Sequence, residues 1–117
     1  MGKLAIITGA GQGIGEGIAY RLAEDGFAIA VVDIHPETAK KVVENLVKKG
    51  ASAKAYVLDV SDRLAVFELV DQAVADLGAL ALYVNNAGVA FIDAIVDSDP
   101  SDVERLFDVN IKGTYWG

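Results

Sequence analysis

Cysteine is absent from this 117-residue chain, and histidine occurs only once. The chain therefore has no disulfide framework, no thiolate nucleophile and no thiolate metal site. With one histidine as well, we expect no transition-metal centre. Basic residues are few, 10 against 17 acidic ones, and the formal net charge is -7. Because a chain of this charge is repelled by anionic surfaces, we expect neither a nucleic-acid partner nor a membrane partner.

Long apolar runs are missing too. The first run, residues 4–7, is too short for a signal peptide and leads directly into a glycine-rich stretch. No run approaches the roughly 20 apolar residues of a membrane-spanning helix. The hydrophobic content of 53% still suffices for one small core. These features predict a cytoplasmic, globular domain.

Glycine is concentrated near the N-terminus. After an apolar run that ends at Thr8, glycines stand at alternate positions from Gly9 to Gly15. The apolar residues that follow recur at helical spacing, at Ile14, Ile18, Ala19, Leu22 and Ala23. The pattern predicts a strand, a tight turn and a helix whose first N–H groups point at a phosphate or pyrophosphate. Glycines suit that turn because side chains would block the approach of a ligand to the backbone.

The spacing of these glycines leaves more than one ligand open. It reads Thr-Gly-x-x-x-Gly-x-Gly, over Thr8, Gly9, Gly13 and Gly15, and departs from the dinucleotide fingerprint G-x-G-x-x-G. A P-loop is excluded because no Gly-Lys-Ser/Thr follows. The stretch from Gly9 to Gly13 also fits the G-x-G-x-G turn of a methyltransferase that binds S-adenosylmethionine. A tight turn with no ligand is a third hypothesis.

The rest of the chain repeats the alternation of strand and helix. Three more apolar runs are predicted as strands, at 27–32, 53–58 and 80–84. Helices are predicted from Ile14 to Asp25, from Pro36 to Gly50, from an N-cap at Ser61 to Gly78, and from Pro100 onwards. Short connections in a β-α-β-α order are typical of an α/β domain with a parallel sheet and right-handed crossovers.

Each later helix carries an apolar stripe that we expect to face the sheet. The stripe of the second helix consists of Val42, Val43, Leu46 and Val47. That of the third helix consists of Val66, Phe67, Val70, Val74 and Leu77. That of the last helix consists of Val103, Leu106, Phe107 and Ile111. Asn110 falls on the same face as Val103 and Phe107, where a polar side chain must find hydrogen-bond partners, so a satisfied core amide is one interpretation.

Polar residues stand where the predicted strands end. Asp33 follows the second strand, 20 residues after Gly13, and its carboxylate can accept both hydroxyl hydrogens of an adenosine ribose. It would repel a 2′-phosphate, and neither Gln12 nor Ile34 offers a compensating cation. Asp59 ends the third strand and could accept a hydrogen bond from an adenine amino group. These groups meet at the carboxyl edge of a parallel sheet, which is where such domains bind ligands.

The fourth predicted strand ends in Asn85-Asn86-Ala87-Gly88. Two amides can tie neighbouring strand ends together, and the two small residues after them let a ligand come close. An Asx turn that leads into a loop is the alternative interpretation.

Together, these motifs resemble the N-terminal half of the short-chain dehydrogenase/reductase family, over essentially all 117 residues. The resemblance implies a Rossmann-type, doubly wound parallel sheet in three α/β/α layers, with its first four strands in the order 3-2-1-4. It also implies NAD as the cofactor and hydride transfer between NAD(H) and a small ketone or secondary alcohol. Residues 9–17 and 110–117 are most similar to the diacetyl/acetoin reductases of this family, which favours diacetyl, acetoin or 2,3-butanediol as the substrate.

The resemblance assigns roles to individual residues. The cofactor-binding residues that it implies are Gly9, Gln12, Gly13, Ile14, Gly15, Asp33, Ile34, Asp59, Val60, Asn86, Ala87 and Gly88. The residues of the glycine turn would meet the pyrophosphate, those at the second and third strand ends the adenosine, and the last three the nicotinamide-side ribose. Asn110 would be the one catalytic residue present, positioning a water of the proton relay.

The catalytic Ser and the Tyr-x-x-x-Lys of the family have no counterparts in this sequence. We therefore interpret residues 1–117 as the N-terminal part of a single NAD(P)-binding domain that ends inside the helix begun near Pro100, and we expect this part alone to be inactive. The parent enzyme is expected to be a homo-oligomer, a dimer or a tetramer, that acts on a small carbonyl or alcohol. A non-catalytic nucleotide-binding module is the alternative from a different class.

Overall fold

The computed structural model describes residues 3–88 and 99–117. The strands are β1 (Leu4–Thr8), β2 (Ala28–Asp33), β3 (Ala53–Val57) and β4 (Leu80–Val84). The helices are α1 (Gly13–Glu24), α2 (Pro36–Lys48), α3 (Arg63–Leu77), α4 (Pro100–Leu106) and α5 (Thr114–Trp116), and a π-helical stretch (Phe107–Gly113) joins the last two. Strands and helices alternate up to β4, as predicted. Within the described ranges, no helix is both long and apolar enough to cross a bilayer.

The four strands form one parallel sheet in the order β3-β2-β1-β4, which confirms the predicted order. Every residue of β1 and β2 is buried, which explains why their sequences are apolar without alternation. The strands β3 and β4 lie at the two edges, and Leu80 and Leu82 of β4 remain exposed. Because the strands are parallel, all four C-terminal ends lie along the same edge of the sheet.

Helices on both faces of the sheet divide the core in two. On one face α1 and α2 pack on the sheet, in a cluster of Ala5, Ile7, Ala10, Ala19, Ile29, Val31, Ala39, Val42 and Leu46. On the other face α3 packs, in a cluster of Leu4, Ile6, Ala30, Val32, Tyr56, Leu69 and Ala73. Successive side chains of a strand point to opposite faces, so β1 and β2 supply both clusters. The result is the predicted three-layer α/β/α arrangement.

The face that α2 buries is narrower than the predicted stripe. Its buried residues are Ala39, Val42 and Leu46. Val47 follows Leu46 directly but is 53% exposed. The small residue Ala39 completes the buried face because it lies one turn before Val42 and packs in the same cluster as residues of β1 and β2.

The third helix also differs in part from the prediction. It buries Val66, Leu69 and Ala73, and leaves Phe67 and Val74 exposed. Its N-cap is Asp62, whose carboxylate accepts a hydrogen bond from Ala65 N at 3.2 Å, and not Ser61 as predicted. The Ser61 side chain is instead hydrogen-bonded to Asp59.

The apolar stripe predicted for the last helical run is wrong as a core face. Its exposed members are Val103, Phe107 and Ile111. The residues that are buried are Val109 and Gly113, which pack against the loop between β3 and α3. A sequence shows where a helix is apolar, but the neighbouring element decides which side is covered, and the wider π-helical turns alter the spacing after Leu106.

The pair Leu46 and Val47 tests which face of α2 supports the fold. Leu46 is fully buried, so we expect Leu46→Ala to lower the free energy of unfolding by about 2–5 kcal/mol. Val47→Ala is the matched control and should change it by no more than about 0.5 kcal/mol. Urea denaturation followed by circular dichroism measures both. Equal losses would support the predicted stripe against the observed one.

Candidate functional site

The carboxyl edge of the sheet opens into a cavity of about 440 Å³. Its walls come from the glycine turn after β1, the ends of β2 and β3, the segment after β4, and α4 with the turn that follows it. The lining includes all the predicted cofactor-binding residues except Gly15: Gly9, Gln12, Gly13, Ile14, Asp33, Ile34, Asp59, Val60, Asn86, Ala87 and Gly88. The fold therefore assembles one concave surface from separate segments, as expected of a ligand site in an open α/β sheet.

Backbone geometry explains the glycines of the turn. Gly9 and Gly13 have φ angles of 65° and 59°, in the left-handed region that favours glycine. A Cβ at Gly9 would lie 3.0 Å from Ala87 Cα, whereas a Cβ at Gly13 would meet no atom within 4 Å. In the described part of the chain, the N-cap residue Gln12 makes no side-chain hydrogen bond to the first N–H groups of α1. The turn therefore presents uncapped backbone donors beside open space, which suits an anion.

Gly15 is the predicted binding residue that does not line the cavity. It is buried in the first turn of α1. A Cβ at this position would overlap the carbonyl oxygen of Gly9 and would also approach the side chain of Asn86. Gly15 thus allows α1 to pack closely against the turn, which is a reason for glycine that needs no ligand contact.

The hydroxyl of Thr8 joins the ends of β1 and β4. Its Oγ1 accepts hydrogen bonds from the backbone N–H groups of Asn86 and Ala87, both at 3.0 Å, and donates to Val84 O at 3.3 Å. In the same place, Asn86 Nδ2 donates to the carbonyl oxygen of Gly9 at 3.2 Å. Side chains are needed here because the segment after β4 has left the hydrogen-bonding ladder of the sheet. These bonds hold Ala87 against the glycine turn.

Two backbone donors orient the carboxylate of Asp33. Oδ2 accepts a hydrogen bond from Gly11 N at 2.8 Å, and Oδ1 accepts one from His35 N at 3.0 Å. The residue is largely buried but still reaches the cavity wall. Since a carboxylate has about four acceptor positions, each oxygen can accept a further donor. Asp33 is thus a fixed acceptor and a fixed negative charge beside the glycine turn.

Asp59 has more partners than the sequence predicts. Its Oδ1 accepts hydrogen bonds from Ser61 N at 3.0 Å and from Ser61 Oγ at 2.7 Å. Its Oδ2 is paired with Arg105 Nη1 at 2.7 Å. Burial opposes the charged form, but the bonds from Ser61 and the charge of Arg105 outweigh it and hold the pKa of Asp59 below its ordinary value. The carboxylate is therefore a charged link between the end of β3 and α4.

Asn110 lies next to the segment that follows β4. Its Oδ1 is 3.3 Å from the position that a Cβ would take on Gly88. The residue is exposed, so the expectation that it lies on a core-facing stripe is wrong. It belongs to the π-helical stretch Phe107–Gly113, and π-turns of this kind are frequent at functional sites. The fold thus brings Asn110 to the rim of the cavity at Gly88.

Some cavity residues have no binding role in the sequence-based prediction. These are Val32, His35, Leu58, Arg105 and Val109. Arg105 matters most, because it brings a cation to the cavity wall and pairs it with Asp59. Arg105 and Val109 are four residues apart and share one helical face, so their spacing is the signal that could have identified them.

Replacing Thr8 by valine tests the link between β1 and β4. Thr8→Val keeps the shape of the side chain but removes the acceptor of the Ala87 N–H group and leaves the Asn86 N–H group only its bond to Val84 O at 3.1 Å. We expect the free energy of unfolding to fall by about 1–3 kcal/mol. Urea denaturation measures this loss, and faster amide hydrogen exchange at the two positions locates it.

Thr38→Val is the matched control for this substitution. The Thr38 hydroxyl donates to His35 O at 3.2 Å on the exposed start of α2. Its removal should change the free energy of unfolding by no more than about 0.5 kcal/mol. Equal losses in the two variants would contradict a special role for the Thr8 hydroxyl.

Known proteins share both the sequence and the fold. The sequence profile described as short chain dehydrogenase matches residues 3–117. The chain is 43% identical over 117 residues to a diacetyl reductase [(S)-acetoin forming] from Staphylococcus epidermidis, and this match covers 100% of the chain and 46% of the relative. It is 37% identical over 120 residues to an L-2,3-butanediol dehydrogenase from Corynebacterium glutamicum, with the same two coverages, 100% and 46%. The chain thus spans less than half the length of these relatives.

Two solved structures of dehydrogenases and reductases share the fold of this chain. A gluconate 5-dehydrogenase from Burkholderia cenocepacia, in complex with NADP and tartrate, superimposes with a TM-score of 0.87 and 35% identity over 97% of the chain and 45% of that structure. A 3-ketoacyl-ACP reductase from Sinorhizobium meliloti has a TM-score of 0.91 and 34% identity, with the same coverages of 97% and 45%. The profile match over almost the whole chain argues against the methyltransferase hypothesis. The chain therefore belongs to the short-chain dehydrogenase family.

Proposed function

We propose that the protein is an NAD(H)-dependent oxidoreductase that interconverts a small ketone and a secondary alcohol. The observation that carries this proposal is the shared cavity of the glycine turn and the Asp33 carboxylate. Uncapped backbone N–H groups suit a pyrophosphate, and a fixed carboxylate suits the two hydroxyls of an adenosine ribose. The residues present thus fit a nicotinamide dinucleotide, which, when bound, supplies or accepts the hydride.

We propose that the adenosine and the nicotinamide-side ribose of the cofactor contact different residues of this cavity. At the base end, Asp59 and Val60 would contact adenine, with Asp33 at the neighbouring ribose. At the other end, Ala87 and Gly88 would lie along the nicotinamide-side ribose, because they are small and Thr8 holds them beside the turn. Asn110, at the rim, would order a water molecule through its amide, which is neutral near pH 7 and neither an acid nor a base.

Preference for NAD(H) over its 2′-phosphorylated form follows from Asp33. A phosphate charge about 4 Å from a carboxylate is opposed by up to about 4 kcal/mol at an effective dielectric of 20, and by less where water screens it. Arg105 does not offset this charge, because its guanidinium is paired with Asp59 at 2.7 Å. One structural neighbour is in complex with NADP. The negative charge of Asp33 is the feature that supports a preference for NAD(H) in this protein.

Fluorescence titration with NADH and NADPH tests the cofactor preference. We expect NADH to bind at least about tenfold more tightly, a difference of about 1.4 kcal/mol. Asp33→Asn keeps the size of the side chain and removes its charge, so the two dissociation constants should approach each other. The ratio of the two constants is the readout, because a general loss of affinity cancels from it.

Asp25→Asn is the matched control for this titration. Asp25 forms an exposed ion pair with Arg21 at 2.7 Å at the end of α1, away from the cavity. This variant should keep the preference of the unmodified protein. Equal affinity of the unmodified protein for NADH and NADPH would refute the role given to Asp33.

Small vicinal diketones and hydroxyketones, such as diacetyl and acetoin, are the substrates that we propose. The support is the identity of 43% to a diacetyl reductase and of 37% to a butanediol dehydrogenase. A non-catalytic nucleotide-binding module is the alternative. We also propose that the 117 residues alone do not catalyse the reaction, since Asn110 can order water but cannot transfer the required proton.

A panel of ketones with NADH tests the substrate proposal on the whole protein. The panel contains diacetyl, acetoin, a keto-sugar acid and a 3-ketoacyl thioester, and NADH oxidation is followed by absorbance. We expect turnover with the first two compounds. Turnover only with the bulkier carbonyls would overturn the substrate class, and binding of NADH with no turnover on any carbonyl would favour the non-catalytic module.

We further propose that the protein forms a homo-oligomer. The support is the exposed apolar surface of the last helical run, where Val103, Phe107, Ile111 and Tyr115 recur at intervals of four. Exposed apolar side chains that share one helical face favour burial against another surface.

A further inference from the structure

The helical run that carries Asn110 is seated on the loop at the base end of the cavity. Three of its residues, spaced by four, touch that loop. Arg105 Nη1 is paired with Asp59 Oδ2 at 2.7 Å, Val109 packs in the cluster around Val60, and a Cβ at Gly113 would lie 2.6 Å from Val60 Cγ2. One face of the run, from α4 through the π-helical stretch, therefore rests on two consecutive loop residues.

We call the contact of Arg105, Val109 and Gly113 with Asp59 and Val60 the seat of the helical run. Arg105 makes the polar contact of this seat, and it also lines the cavity. Asp59, Val60, Arg105 and Val109 all line the cavity. The same four residues thus hold the helical run in place and form the surface that a bound base would touch.

The hydrogen-bond capacity of Asp59 is nearly used. Of about four acceptor positions on a carboxylate, the two on Oδ1 are taken by Ser61 N and Ser61 Oγ, and one on Oδ2 is taken by Arg105. An additional donor from a base can therefore reach only Oδ2, where it shares the oxygen with Arg105. Two donors on one oxygen alter each other's strength and geometry.

Asn110 belongs to the same helical run as the residues that contact the loop. It follows Val109 directly and lies five residues after Arg105. On its other side, its amide oxygen lies 3.3 Å from the position that a Cβ would take on Gly88, which also lines the cavity. A small displacement of the seat therefore moves the Asn110 amide relative to Gly88.

We infer that Arg105 is a positioning residue that couples the base end of the cavity to Asn110 through its ion pair with Asp59. The inference rests on the proposed function, because it requires an adenine nucleotide in this cavity. An amino group of the base that donates to Asp59 Oδ2 changes the Arg105 pair, and the helical run carries that change to Asn110. The planar guanidinium is suited to this role because it holds the carboxylate in one orientation, which a lysine ammonium does not.

Side-chain amide signals in ¹⁵N-HSQC spectra test the inference with two mononucleotides. Adenosine 5′-monophosphate carries the amino group, and inosine 5′-monophosphate carries a keto oxygen in its place. In the unmodified protein we expect the adenine nucleotide to shift the Asn110 amide, and the hypoxanthine nucleotide to shift it less. The Asn45 amide, which donates to Tyr20 OH between α2 and α1 and does not line the cavity, is the internal reference and should move with neither.

Variants at position 105 assign the effect to the guanidinium. In Arg105→Met the difference between the two nucleotides at Asn110 should disappear, and Arg105→Lys should retain part of it. Arg21→Met is the matched control, because it breaks an exposed ion pair of the same length, 2.7 Å, and should retain all of it. If Arg105→Met does not fold, the lysine variant and the two nucleotides on the unmodified protein still decide the question.

The outcomes separate the inference from the proposed function. A shift of the Gly13 backbone amide reports binding at the glycine turn. If Gly13 shifts but Asn110 responds equally to both nucleotides, or keeps its difference in Arg105→Met, the coupling is wrong and the binding site stands. If neither the mononucleotides nor NADH shifts Gly13, the proposed function itself is overturned.

Discussion

The hydroxyl of Thr8 is the contact on which the geometry of the cavity depends. It accepts hydrogen bonds from two backbone N–H groups and donates one to a carbonyl oxygen. It therefore joins the last residue of the central strand β1 to the segment that follows the edge strand β4. The backbone ladder does not make this link, because the pairing of β1 with β4 ends at Ile7 and Val84. The hydrogen bond of the Asn86 amide to Gly9 O and the packing of Ala87 against Val60 and Val109 support the same arrangement.

The cavity places two carboxylates where their surroundings differ. Asp33 is oriented by backbone N–H groups and forms no ion pair within residues 3–88 and 99–117, so it presents a negative charge to whatever binds beside it. Asp59 is oriented by Ser61 and by Arg105, so its negative charge is offset by the guanidinium and it connects the end of β3 to α4. One carboxylate thus suits recognition of uncharged hydroxyls, and the other suits attachment of α4 to the end of β3.

The fold was predictable because its elements differ locally in composition. Unbroken apolar runs become β1 and β2, which are buried on both faces, and glycines mark turns where φ is positive, as at Gly9 and Gly13. Helical faces were predicted less well. Val47 and Phe67 are apolar and lie near the correct stripe, yet both are exposed, because one position on a helix corresponds to a rotation of about 100°.

The sequence by itself determined the alternation of strands and helices, the position of the phosphate-suited turn and the residues gathered at the carboxyl edge. It could do so because each depends on local signals, such as a glycine where a side chain would collide or an acid directly after a strand. Only the tertiary structure decided that Gly15 packs beneath the turn and that Asn110 is exposed at the rim. It alone brought Arg105 to Asp59, because a contact between residues 46 positions apart depends on how a helix is seated on a distant loop, and no local pattern encodes that distance.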